Sequence, residues 1–177
     1  HLNQPFTPFA TLVQHCFIQW LADGARVELP DDFYSSRLLI DETIEFIDSN
    51  LADGKPFFAY VPFQAVHLPV QAPQEYIDRY LGVYDAGWDA LLEDRLTRAV
   101  EVGLLPGKVP MARMDTTGDW DALSDARQQY ESKRMAVYAG MIEAMDDNIG
   151  RLMAYLQAQG ALDNTIFVFT SDNGAEG

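Results

Sequence analysis

A run of five β-forming residues, Thr165-Ile166-Phe167-Val168-Phe169, constrains the fold of this chain more than any other stretch. It is apolar on both faces and bounded by Asp163-Asn164 before and Asn173-Gly174 after. Such a run, unbroken by polar alternation, predicts a strand buried on both sides in a parallel sheet with helices on its faces. In open α/β sheets, ligands sit outside the carboxyl ends of the strands. Asp172 and Asn173 fall at that end. Both are hard oxygen donors, which suits Ca²⁺ or Mg²⁺. A plain strand-ending turn accounts for the same residues, because Asp, Asn and Gly supply turn hydrogen bonds and positive φ. Two oxygens also fall short of the roughly six to eight that calcium takes, so a real site must draw most of its ligands from elsewhere.

Composition narrows the partners. With 177 residues and 48% hydrophobic content the chain can bury a core, and its length predicts one domain. The net charge of −15, from 12 basic and 27 acidic residues without a Lys/Arg cluster, argues against nucleic acid or an anionic membrane as partner. No apolar run approaches the ~20 residues of a membrane-spanning helix. The single Cys16 excludes an internal disulfide. Because the chain starts without Met and stops soon after the Asp172-Asn173 pair, it reads as a piece of a larger protein.

The first thirty residues support two readings. Phe9, Leu12, Val13, Cys16, Phe17, Trp20 and Leu21 have the spacing of an amphipathic helix ended by Asp23-Gly24. The same Asp-Gly, between Ile18-Gln19-Trp20-Leu21 and Arg26-Val27-Glu28-Leu29, is a hairpin turn signal. His15 beside Cys16 has no acid to orient it, so a small buried residue next to a surface His is the simpler account than a nucleophile pair.

From Ser35 onward the pattern is clear. Ser35 or Ser36 can cap a helix with Ile40, Ile44, Ile47 and Leu51 on one face, ended by Asp53-Gly54. Pro56-Phe57-Phe58-Ala59-Tyr60-Val61-Pro62 predicts a second buried strand, with His67 just past its carboxyl end. A lone His among apolar residues is usually a packed structural group. Its place after a parallel strand, on the edge that would carry Asp172 and Asn173, raises it to a candidate. A short helix is expected at Gln74–Tyr80, and another around Trp88, Leu92, Leu96 and Val100 that stops at Gly103. The longest helix begins after Ser124 and ends at Gly160, with Met135, Tyr138, Ile142, Met145, Ile149, Leu152, Met153 and Leu156 as its apolar face. Asp146-Asp147-Asn148 on it reads as a solvated face, since neighbouring helix residues point apart.

Several pieces, in order, carry a resemblance: Phe33-Tyr34-Ser35-Ser36; Pro56 to Tyr60 running into His67-Leu68-Pro69-Val70-Gln71-Ala72-Pro73; Tyr84-Asp85-Ala86-Gly87; Val137 to Glu143 with Asp146 and Ile149-Gly150-Arg151; and Leu162-Asp163-Asn164-Thr165 to Gly174. The set resembles type I sulfatases, specifically arylsulfatases. Residues 30–177 match well and residues 1–29 weakly, as part of a sulfatase catalytic domain. The resemblance implies an α/β fold, the alkaline-phosphatase-like mixed and mostly parallel sheet flanked by helices, incomplete in this chain. It further implies hydrolysis of sulfate esters, small molecules, at a Ca²⁺ site, with a formylglycine made from the Cys of a C-x-P-S-R motif as nucleophile. It assigns Asp172 and Asn173 to the calcium and His67 to the sulfate, as a catalytic and substrate-binding group.

The departures matter as much. The sequence contains no C-x-P-S-R, and Cys16 sits in His15-Cys16-Phe17-Ile18-Gln19, which is not that motif. The chain is therefore expected to be an internal slice of an arylsulfatase, inactive by itself. It is also expected to bind metal weakly, and to self-associate through surfaces that truncation exposes. Two alternatives stay open. One is a metal-dependent phosphoester or phosphonate hydrolase of the same superfamily, whose members resemble Ser-Asp-His-Gly where this chain has Asn173; an amide oxygen favours Ca²⁺ where imidazole favours Zn²⁺ or Mn²⁺. The other is a non-enzymatic, degenerate relative acting as a binding module.

Overall fold

The structure, a computed structural model, describes residues 20–107, 109–110 and 118–174. The chain forms two compact units, His1–Arg79 with Val137–Thr165, and Tyr80–Ala136 with Ile166–Gly177. No helix among the described residues is long and apolar enough to cross a membrane.

The first unit begins with a hairpin. Strand β1 (Leu21–Ala22) pairs antiparallel with β2 (Ala25–Arg26), Leu21 opposite Arg26 and Ala22 opposite Ala25. Asp23 and Gly24 between them have φ of 51° and 78°. Two successive positive φ values are what a two-residue turn needs to match strand twist, so the hairpin reading holds and the helix reading fails at this end. The remainder of that predicted helix, with His15 and Cys16, lies outside the described residues. The ring of Phe33, fully buried, meets Trp20 edge-on at 5.1 Å.

Helix α1 (Ser35–Asn50) carries the expected face. Ile40 and Ile47 are buried, Ile44 and Leu51 pack beside them, and Gly54 at φ 69° follows the closing 3-10 turn. The expected cap does not form. A cap residue needs extended backbone, and here that residue is Tyr34, at φ −139° and ψ 123°, which puts both serines inside the first turn, where they are buried.

The Tyr34 and Ser36 hydroxyls are neighbours, yet neither finds a well-formed hydrogen bond. Burial pushes the Tyr34 phenol up to about 12. The folded state therefore holds that proton between pH 10 and 12 while the unfolded chain has released it, so this contribution to stability is present below pH 10 and lost as pH rises towards 12. Tyr34→Phe should flatten that loss, on the order of 2 kcal/mol. Urea unfolding of both proteins at pH 8 and pH 11 checks it, and identical pH slopes would contradict it.

Helix α2 (Gln74–Asp78) follows the His67 loop, and α3 (Gly87–Glu101) opens the second unit's helical part. Helix α3 begins at a glycine with φ 86°, where a Cβ would lie 2.4–2.6 Å from the Trp120 ring. Trp88 meets Trp120 edge-on at 4.8 Å and donates its Nε1–H to the Gly118 carbonyl at 3.0 Å. Helix α4 (Asp125–Ala158) starts after Ser124, as expected, with the Ser124 hydroxyl accepting from the Arg127 N–H at 3.4 Å. Both long helices end as their glycines predict. Gly103 donates to Val100 and Leu104 to Ala99; Gly160 donates to Gln157 and Ala161 to Leu156. These are paired bonds of the Schellman type, around glycines at φ 78° and 68°.

The buried face of α4 differs from the predicted one. Ser132, Ala136, Gly140, Ala144, Asn148, Leu152 and Leu156 are all buried, one every four residues. Of the predicted face, Leu152 and Leu156 are buried, whereas Ile142 and Met153 are exposed. Large apolar side chains set the periodicity read from sequence, but small ones set how closely other backbone can approach. In the first unit the C-terminal end of this row, Leu152 and Leu156, closes the core against Ile40 and Ile47, with Val61, Phe63 and Leu162 packed around it. Arg151 reaches Asp41 at 2.5 Å and the Tyr155 hydroxyl donates to Asp48 at 2.8 Å, both tying α4 to α1.

The two predicted strands are not strands here. Pro56–Val61 and Thr165–Phe169 carry no ladder, and β1 with β2 is the one sheet among the described residues. Strand hydrogen bonds are made between neighbours, so an apolar run alone cannot supply them. Phe58 is 92% exposed, Ile166 90% and Val168 85%, surfaces that a sheet buried on both faces would cover. A cavity of about 540 Å³ lies between α1 and residues 56–60, lined by Phe46, Ile47, Leu51 and Phe57 among others.

Candidate functional site

His67 belongs to the first unit and the Asp172-Asn173 pair to the second, so each is described in its own surroundings.

His67 is exposed at the crest of a tight loop. Its backbone N–H donates to the Gln64 carbonyl at 2.8 Å, and the peptide bonds Ala65–Val66 and Leu68–Pro69 are cis. Its ring is held as well: Nδ1 lies 2.7 Å from the Leu68 carbonyl oxygen. A carbonyl can only accept, so Nδ1 carries the hydrogen. Nε2 is then the nitrogen available to a ligand, an acceptor in the neutral ring and a donor in the protonated one.

The loop is seated on α4. Ala65, Val66 and Val70, from both sides of His67, pack against a buried cluster of Ala72, Ile77 and Met141, with Val137 alongside. At Gly140 the backbone of α2 comes so near that a Cβ would stand 3.0 Å from the Ile77 nitrogen and the Tyr76 carbonyl carbon. One turn on, the Arg79 guanidinium donates to Glu143 and lies 4.9 Å from the Tyr76 ring centroid. The Tyr76 hydroxyl is held above its ordinary range, first by burial and then by its hydrogen bond to Asp147. The Asp146-Asp147-Asn148 run divides accordingly. The two acids are exposed as expected, but Asn148 is buried, its amide donating to the Ala144 carbonyl at 2.6 Å and its oxygen accepting from Arg151 at 2.9 Å. Sequence reading assigned no role to Gly140 and Glu143, which lie in the stretch that carries the resemblance, and did not single out Arg79. A glycine inside a long helical pattern was the available signal, because it costs helix stability unless something needs the space.

Asp172 and Asn173 are exposed in a short turn. The Thr170 hydroxyl donates to the Ser171 carbonyl at 3.2 Å, and the Ser171 hydroxyl to the Asn173 carbonyl. The turn therefore closes through Ser171 and leaves the Asp172 carboxylate and Asn173 amide outside those bonds. As a donor set, one carboxylate and one amide oxygen fit Ca²⁺ and supply part of a shell. Among the described residues, no three His, Cys, Asp or Glu side chains gather as a metal site.

The Sulfatase family model matches residues 3–177. The chain belongs to the sulfatase family. It is 40% identical over 175 residues to an arylsulfatase of Klebsiella aerogenes, covering 99% of this chain and 37% of that protein. To an uncharacterized sulfatase of Schizosaccharomyces pombe it is 43% identical over 148 residues, 82% of this chain and 26% of that one. A multifunctional alkaline phosphatase superfamily protein of Trinickia caryophylli is 28% identical over 168 residues, 89% of this chain and 32% of that one. The chain thus spans between about a quarter and two fifths of the length of these relatives. Membership implies the α/β, alkaline-phosphatase-like fold, of which helices and one small sheet are seen among the described residues.

Proposed function

We propose that this chain is part of a sulfatase that hydrolyses sulfate esters, aryl sulfates among them. The observation that carries the reading is the 40% identity to an arylsulfatase over nearly the whole chain. In this reading Pro56–Val61 and Thr165–Phe169 are strands of the family's mostly parallel sheet and pair with segments outside this sequence. Asp172 and Asn173 would hold Ca²⁺. When bound, the ion supplies Lewis-acid stabilisation of the sulfate oxygens. The nucleophile, a formylglycine in such enzymes, has no source here, since no C-x-P-S-R is present; the 177 residues alone should not turn over.

The work of this chain is then orientation and charge. With Nδ1–H committed to the Leu68 carbonyl, a protonated His67 presents Nε2–H as a donor. Aimed at a sulfate oxygen, that donor stabilises charge developing on the ester as its S–O bond breaks. Preference over the phosphoester alternative rests on Asn173, whose amide oxygen favours a hard ion.

Assay of the complete enzyme with an aryl sulfate and the matching aryl phosphate tests the reading, each before and after chelation. Sulfate turnover that dominates, falls on chelation and returns with Ca²⁺ is the expected result. Phosphate turnover restored by Zn²⁺ or Mn²⁺ would replace this reading with the phosphoesterase one. Turnover of neither would favour the non-enzymatic relative.

A further inference from the structure

We propose that Gly140 of α4 is a positioning residue for His67, its missing side chain forming the seat on which the loop and helix around His67 rest. The inference rests on the reading of His67 as a sulfate contact. The hydrogen bonds that hold His67 are to its own loop, so its aim is inherited from what that loop rests on, and each step of the inheritance can be followed. The ring is tied through Nδ1 to the next residue's carbonyl, and the backbone N–H to Gln64, so the imidazole moves with the loop rather than on its own. Ala65 and Val66 before it and Val70 after it pack against the buried cluster that Ala72 and Ile77 form with Met141 of α4, as does Val137 of the same helix. The loop then runs into α2, whose backbone at Tyr76 and Ile77 rests directly on Gly140. Arg79 closes the far end on Glu143. Residues 137 to 143, two turns of one helix, therefore set the register of everything from Ala65 to Arg79.

A methyl group at position 140 would press on backbone atoms, 3.0 Å from Ile77 N and Tyr76 C and 3.2 Å from Tyr76 O. Backbone cannot rotate away as a side chain can, so α2 and the loop must shift by a few tenths of an ångström. Gly150 provides the control on the same helix. It is exposed, and a Cβ there meets nothing within 4 Å. Alanine at either position relieves the same entropic cost of glycine in a helix. Only at 140 does it also displace the loop.

The test uses the complete enzyme, with kcat/KM on an aryl sulfate and thermal unfolding for G140A, G150A, H67A and the double variant G140A/H67A. G140A should lower kcat/KM roughly tenfold, the scale that sub-ångström misplacement of a reacting group produces. G150A should leave it unchanged. In the H67A background, G140A should cost nothing further, because the group through which it acts is gone. An effect of G140A that persists undiminished beside H67A, or no effect of G140A at all, overturns the positioning role while leaving His67 in place. Full activity of H67A overturns the reading of His67, and this proposal with it. Should G140A fail to fold, Glu143→Ala releases the Arg79 contact instead. It should give a smaller loss that likewise vanishes beside H67A, and a loss additive with H67A would count against the proposal.

Discussion

Asp172→Ala in the complete enzyme is expected to lower kcat/KM on an aryl sulfate by roughly a hundredfold or more, the scale on which losing a metal contact or an oxyanion partner acts. The carboxylate is exposed and lies outside the hydrogen bonds that close its turn, which run from Thr170 to Ser171 and from Ser171 to Asn173. That separation lets the two accounts of this strand end be tested against each other. If Asp172 holds Ca²⁺, removing it should raise the Ca²⁺ concentration needed for half-maximal activity, and Asp172→Asn, which keeps an oxygen but loses the charge, should fall between. If the pair is only a turn, Ser171→Ala should do as much harm as Asp172→Ala. A wild-type calcium titration for Asp172→Ala would end the metal assignment.

Leu156→Ala is expected to have the largest effect on stability, a loss of about 2–5 kcal/mol. The side chain is 1% exposed and packs with Ile40, Ile47 and Leu152, where α1 and α4 share large buried side chains. The lining comes from two helices held by the Arg151–Asp41 and Tyr155–Asp48 contacts, so the space left behind cannot collapse freely. Met153→Ala, on the exposed side of the same turn, should shift stability by less than about 0.5 kcal/mol. Denaturant unfolding of the two variants checks the contrast, and comparable losses would mean that the core has been misplaced.

These residues also mark what sequence could and could not convey. The face of α1 was legible because its buried positions are large and apolar, and burial of large apolar groups is what periodicity measures. The turn at Asp23-Gly24 and the helix ends at Gly103 and Gly160 were legible because positive φ is a local requirement that few residues meet. The buried row of α4 was not, since Ala136, Gly140, Ala144 and Asn148 contribute closeness rather than hydrophobicity. Ile142 and Met153, both exposed, drew attention to the wrong side. The segments at Pro56 and Thr165 form no ladder among the described residues for a different reason. A strand is a relation between two segments, and nothing in Thr165–Phe169 names its neighbour. As for the candidate site, residue type and place in the chain pointed to His67, Asp172 and Asn173. The fixing of the imidazole by its neighbour's carbonyl is a matter of side-chain rotamer, and the seat beneath its loop depends on contacts between segments far apart in the chain, Tyr76 and Ile77 on Gly140 and Arg79 on Glu143, which no local pattern records.

The seat at Gly140 also limits how this chain can drift. Most functional positions are guarded by what their side chain does, and a similar side chain can often stand in. Position 140 is guarded by vacancy, for which no substitute exists among the other nineteen residues, while ten positions along the same helix Gly150 is open to any of them that a helix accepts. Change on α4 is thus free on the solvent side and one-way closed where the loop rests: a mutation that fills the seat can be undone only by reversal, or by moving α2 away and taking His67 with it.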